Sequence, residues 1–172
     1  MDFFDIIIRS EDILLVPISF DYAEDIFREF RGDITTYMYP KPPDKIKETE
    51  DFIRESLEEM EKGNNIQLVI LKADTEEFLG CTGAHKINTL TPELGIWLKR
   101  SARGNKYGIN AIRLLVDWAR KNIKYDFFKY PVDRRNLPSR RIPESFGATI
   151  KDEFRCVGES KNELDIVEYQ FR

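Results

Sequence analysis

The sequence predicts one domain of the α/β (α+β) class, a mixed, mostly antiparallel sheet flanked by helices, on three observations. Short β-branched runs alternate with amphipathic helical stretches. The runs between residues 66 and 98 follow one another as a meander. No linker-like segment and no internal repeat divides the 172 residues. A chain of this length can bury about 70% of its unfolded surface. Its 41% hydrophobic residues, with 12 Phe and 7 Tyr, supply the side chains to do so.

Residues 6–8 and 13–18 read as extended segments separated by a polar turn, Arg9-Ser10-Glu11-Asp12. Asp21 is placed to cap a helix running to about Phe30, which Arg31-Gly32-Asp33 ends. Residues 34–43 hold Tyr37, Met38, Tyr39 and three prolines and read as an ordered aromatic loop. Asp44 then caps a long helix in which Ile46, Ile53, Leu57 and Met60 share a face and the charges lie on the other, ending at Gly63. Residues 66–71, 79–87 and 94–98 are three successive strands. From Tyr107 the period changes: Ile112, Leu115, Val116, Ala119 and Ile123 fall at helical spacing. A strand at 127–132, a short helix at 137–146 closed by Gly147, and two strands at 150–157 and 164–171 complete the chain.

Composition narrows the function. With 27 basic and 31 acidic residues the net charge is −4, which argues against a dedicated nucleic-acid binder. Two cysteines, Cys81 and Cys156, make no disulfide framework, and the single histidine, His85, argues against a metal site. The first residues are acidic where a secretory signal is basic, and no uncharged apolar run approaches the roughly 18 residues of a membrane span, so a cytoplasmic protein without a membrane partner is expected.

The most informative stretch joins the third meander strand to the long helix through Lys99, Arg100, Arg103, Gly104, Asn105, Lys106 and Gly108. No acidic residue occurs between Glu93 and Asp117. Cations at a helix N-terminus repel its dipole unless an anion sits between them, and glycines let backbone N–H groups approach that anion closely. A solvated basic turn is the alternative. Downstream, Asn136 and Ser139 are spaced to begin a helix, with Asn136 as its N-cap.

Strand, Arg-Gly-Asn-Lys-Tyr-Gly turn and amphipathic helix resemble the acetyl-coenzyme A signature of the GNAT acetyltransferases. Arg103 fills its first position and Gly108 its last, while Lys106 stands where a glycine is expected. The stretch from Tyr130 through Asn136 and Ser139 to Phe146-Gly147 resembles the family's second coenzyme segment. Pro17-Ile-Ser, the stretch from Asp33 to Pro40 and Glu50-Asp-Phe-Ile resemble the RimJ/RimL-type branch, whose members acetylate protein amino termini or small amines. The resemblance implies a sheet with a splayed strand pair. Ile96, Trp97 and Leu98 would then hold pantetheine through their backbone, and Arg103, Gly104, Asn105, Lys106, Tyr107 and Gly108 would cradle the pyrophosphate. Asn136 would bind the pantetheine arm, and Ser139 would stand near the thiol as an acid. An amine acceptor is implied, in a monomer or homodimer.

Acetyl transfer to an amine needs a base, since a lysine-like amine has a pKa of about 10.4. Glu93, at the start of the strand leading to the coenzyme turn, is the first candidate. His85, with an unperturbed pKa of about 6.5, is the second and also a substrate contact. Tyr37 and Met38 either line the acceptor side or pack as cover. Three other readings stand beside this one. A cysteine hydrolase is one: its Cys81 nucleophile is out of reach of His85, about 13 Å along one strand, which leaves Cys156, for which the sequence places no acid partner. The five basic residues in 129–141 could bind an acidic partner. Lys106 and Pro143 leave room for a GNAT fold that binds coenzyme without turnover.

Overall fold

The computed structural model describes all 172 residues. Eight strands form one sheet: β1 (Ile8–Arg9), β2 (Ile13–Pro17), β3 (Ile66–Lys72), β4 (Phe78–His85), β5 (Glu93–Leu98), β6 (Phe128–Asp133), β7 (Thr149–Val157) and β8 (Glu163–Phe171), in the order β1-β2-β3-β4-β5-β6-β8-β7. The helices are α1 (Ala23–Glu29), α2 (Gly32–Thr35), α3 (Ile46–Glu61), α4 (Tyr107–Asn122) and α5 (Leu137–Ser145). Every strand pair is antiparallel except β5 and β6, which run parallel on either side of the α4 crossover.

The sheet separates two apolar layers. On the back, Ala111, Ile112, Leu115 and Val116 of α4 and Ile142 of α5 pack on Ile66, Leu68, Ile70, Phe128 and Tyr130. On the front, Ile26 of α1 with Ile53 and Met60 of α3 pack on Val69, Leu71 and Cys81. β3 is covered on both faces, so it reads as an unbroken apolar run rather than an alternation. Burial of each large aliphatic side chain in these layers contributes about 1.5–3 kcal/mol.

Three local expectations are corrected. Asp21 caps nothing: it lies inside a 3-10 turn, Phe20–Tyr22, and α1 starts at Ala23 without a side-chain cap. Asp44 does not cap α3 either. The Glu48 carboxylate folds back to accept from the backbone N–H groups of Asp44 (2.6 Å) and Lys45 (2.9 Å), just ahead of the helix that begins at Ile46. The aromatic loop begins later than expected, because Ile34 and Thr35 are buried in one helical turn, α2.

Candidate active site

β5 and β6 pair at one position, Glu93 opposite Lys129, with supporting bonds from the N–H of Lys129 to the Pro92 carbonyl (2.9 Å) and of Asp126 to the Leu90 carbonyl (2.7 Å). Beyond that point no ladder bond joins them. The strands form a V whose apex is Glu93 and whose mouth lies beyond Leu98, about 16 Å along the strand. Along the V the edge of β5 that faces β6 is left without a strand partner. Ile96 and Leu98 send their side chains back toward α4, while Trp97 packs in front against Phe30 and Phe78, with ring centroids 4.9 and 5.8 Å away. Ile96 and Leu98 can therefore meet a ligand in the V through their backbone, as Pro92 meets Lys129, whereas the Trp97 carbonyl turns the other way, toward Gly80 of β4, and is not offered to the V.

At the mouth, Gly104 adopts a left-handed conformation (φ 82°), and so does Lys106 (φ 61°, ψ 13°), the N-cap residue of α4. The expected glycine is thus replaced without losing the glycine-like turn. No side chain caps α4, and no acidic residue lies in its first turn. The backbone N–H groups of six successive residues, Gly104 to Ile109, donate to no protein acceptor. Arg100, Arg103 and Lys106 are exposed there, and no carboxylate pairs with them. Lys99 is different: its ammonium is buried against Glu77 at 3.0 Å, away from the turn. A methyl group on Gly108 would stand 3.2 Å from Ile142 Cδ1 and 3.5 Å from Leu98 Cδ1. That glycine serves the approach of α4 to α5 and β5.

At the apex, Glu93 and His85 are cross-strand partners on the front face. Glu93 Oε1 accepts from Lys86 Nζ at 2.8 Å, and its side chain keeps a quarter of its exposure. Burial pushes the His85 imidazole below its ordinary value, against the opposing pull of Glu93, so the ring is neutral at pH 7. Its Nε2 overlooks Gly95, where a methyl group would lie 3.8 Å away.

α5 starts beside the V. Asn136 Oδ1 accepts from the Ser139 N–H at 3.4 Å, as an N-cap does, and its Nδ2 donates to no protein group. Pro143 removes the N–H that would bond to the Ser139 carbonyl. Ser139 Oγ lies 2.7 Å from the hydroxyl of Tyr130, a residue the sequence reading did not single out. Tyr130 is buried, and burial drives its pKa up, so it stays protonated and holds Ser139 in a hydroxyl pair. Tyr130 sits two positions from Phe128 and Val132 in an alternating strand, so by pattern it is a core residue like them.

Tyr37 and Met38 belong to a different contact. Asn162, in the β7–β8 turn, donates through Nδ2 to the Thr36 and Met38 carbonyls, both at 3.2 Å, and the Glu159 N–H donates to the Tyr39 carbonyl at 2.8 Å. The Arg135 guanidinium lies over the Tyr37 ring at 4.9 Å. The aromatic loop is therefore tied to the C-terminal hairpin. The basic 129–141 segment is occupied as well. Arg134 pairs with Glu153 and Asp165, Arg135 with Asp133, Arg140 with Glu144, and Lys129 with Glu168. Burial pushes the Asp133 carboxyl up, but hydrogen bonds from Arg135 and from the backbone of Arg135 and Asp165 outweigh it and hold it low. Only Arg141 of the five is left to meet an outside acid. Cys81 is buried, which raises its thiol pKa far above the physiological range. No helix is long and apolar enough to cross a membrane.

The architecture is shared with solved structures of low sequence identity. A GNAT-family acetyltransferase from Bacillus anthracis is 18% identical, with 96% of this chain and 98% of that one covered at a TM-score of 0.82. RimL, a ribosomal L7/L12 alpha-N-protein acetyltransferase in complex with coenzyme A, is 14% identical, with 96% and 97% covered at 0.81. A GCN5-related N-acetyltransferase from Brucella melitensis is 18% identical, with 96% and 78% covered at 0.77. Compared with curated proteins, the sequence matches none significantly. The family model of the acetyltransferase (GNAT) domain matches residues 12–149, most of the chain and every element of the V from β5 through α5; the protein belongs to the GNAT family of acyl-CoA-dependent N-acetyltransferases.

Proposed function

We propose that the protein transfers the acetyl group of acetyl-coenzyme A to a primary amine, on a protein amino terminus or a small molecule, by direct attack of the amine. The observation that carries this reading is the V between β5 and β6, open at the end where six unpaired N–H groups and three unpaired cations converge. Those donors suit a pyrophosphate, and the unpaired edge of β5 suits the amide groups of a pantetheine arm. The bound coenzyme supplies an acetyl thioester, whose carbonyl carbon the amine attacks. Arg103, Gly104, Asn105, Lys106, Tyr107 and Gly108 hold the phosphates by charge and N–H donation. The backbone of Ile96 and Leu98, with Asn136 Nδ2, aligns the arm so that the reacting carbon lies near the apex. Glu93 takes the proton of the attacking amine. Neutral His85 accepts a hydrogen bond from the same amine. Ser139 Oγ, held in place by the protonated Tyr130 hydroxyl, donates a proton at the leaving sulfur and regains one from solvent.

Calorimetric titration with acetyl-coenzyme A tests the reading. The wild type is expected to bind in the micromolar range, Arg103→Glu to lose at least tenfold in affinity, and Glu93→Gln to bind normally while turnover on an amine panel falls by about 100-fold or more. A folded wild type that takes up no coenzyme, or a fully active Glu93→Gln variant, overturns the corresponding part.

A further inference from the structure

We infer that the free edge of β7 pairs, antiparallel and about a twofold axis through Phe154, with the same edge of a second copy of this chain. β7 ends the sheet and bonds to β8 alone. Seven of its nine residues are exposed, among them Phe154 (43%) and Val157 (58%). Soluble proteins blunt such edges with short strands, prolines, bulges, cover or charged side chains; the charges of β7 are of both signs, so they repel some registers and pair in another. The opposite edge is blunted by shortness, since β1 has two residues. β7 carries a bulge between Ile150 and Asp152, but the run from Glu153 to Val157 has neither bulge, proline nor glycine and lies uncovered.

Charge selects the partner and the register. A twofold axis perpendicular to a sheet makes one residue face itself across the new strand pair. Centred on Asp152, Glu153 or Arg155, that residue would meet its own like charge. Centring on Cys156 leaves only residues 155–157 of the strand opposite one another. Centred on Phe154, each Glu153 faces the other copy's Arg155, and the two Phe154 rings meet on the other face. Arg155 has no acid partner within its own chain, whereas Glu153 already bonds Arg134 at 2.8 Å, so association adds a cation to the existing Asp165–Arg134–Glu153 network on each side. Backbone bonds along the strand supply affinity, and the two charge pairs supply self-recognition. The result is one continuous sheet running through both copies. The β5–β6 V of each copy lies inside its own sheet, three strands from the join, so the inference does not depend on the proposed activity.

Sedimentation equilibrium of the purified chain is the test. The weight-average mass is expected to rise with concentration from 20.3 kDa toward twice that value. Arg155→Glu and Glu153→Arg place like charges opposite one another and are each expected to weaken self-association at least tenfold. An equimolar mixture of the two sets an all-acidic edge against an all-basic one and is expected to restore the heavier species. A wild type that stays monomeric up to about 100 µM, a range that reaches weak interfaces, overturns the inference. So does a mixture that fails to associate when each variant retains the wild-type circular dichroism. Variants that both dimerise as the wild type does would place the interface elsewhere and overturn it equally.

Discussion

At the scale of single residues, the site depends on groups whose properties are set by neighbours rather than by type. His85 is the sole histidine, and burial lowers its pKa from the ordinary 6.5. The unfolded chain therefore takes up the imidazole proton at a higher pH than the folded chain does. Below about pH 6.5 the unfolded state holds more protons, and stability falls with pH until the folded-state pKa is passed. Thermal unfolding of the wild type and of His85→Asn between pH 7.5 and 5.5 is expected to show the wild type losing stability faster on acidification; parallel curves would mean a solvated ring. Tyr130 makes the same point in the opposite direction, since burial keeps its hydroxyl protonated beside Ser139. Neither environment is readable from a residue's letter. In the sequence Asn136 and Ser139 stand out as candidates through the segment that brackets them and Glu93 through its place at the start of the strand before the basic turn, whereas Tyr130 has the pattern of its core neighbours Phe128 and Val132.

At the scale of elements, the turn entering α4 carries its own conformational cost. Lys106 holds a left-handed conformation that an L side chain adopts at about 1–2 kcal/mol, part of which glycine would return as greater freedom in the unfolded chain. Lys106→Gly is expected to raise stability by up to ~1 kcal/mol in denaturant unfolding while weakening acetyl-coenzyme A binding through the lost cation. A variant both less stable and unaltered in affinity would contradict this account of the turn. The departure of the sequence from the family pattern at this position is thus a change of charge more than of shape. The loop at 36–39 shows where element-level reading from the sequence stops. Its aromatic and proline content marks it as ordered, but its anchor is Asn162, more than 120 positions away.

At the scale of the whole molecule, the V is a gap in a sheet that is otherwise continuous, and filling it should stabilise the fold. Saturation at 100 times the dissociation constant contributes about 2.7 kcal/mol, which in a chain of this size corresponds to an upward shift of about 5–10 °C in Tm. Differential scanning fluorimetry with acetyl-coenzyme A checks it, and an unchanged Tm at saturating coenzyme would speak against a ligand seated between β5 and β6.

The local code determined much of this protein by itself. Period changes and turn residues mark α3, α4 and the β3–β4–β5 meander, because each of those elements is specified by contacts a few residues apart, and the one-sided charge between Glu93 and Asp117 marks the basic turn before α4. Tertiary structure decided the rest, because the rest depends on pairs distant in the chain. The single β5–β6 pairing at Glu93 and Lys129 opens the V, Glu77 withdraws Lys99 from the basic turn, and Asp133, Glu144, Glu153 and Asp165 absorb the arginines that the sequence leaves free. Charge and hydrogen-bond capacity are written in the sequence, but which of them remain unsatisfied, and so available to a ligand, is fixed only when the chain closes on itself.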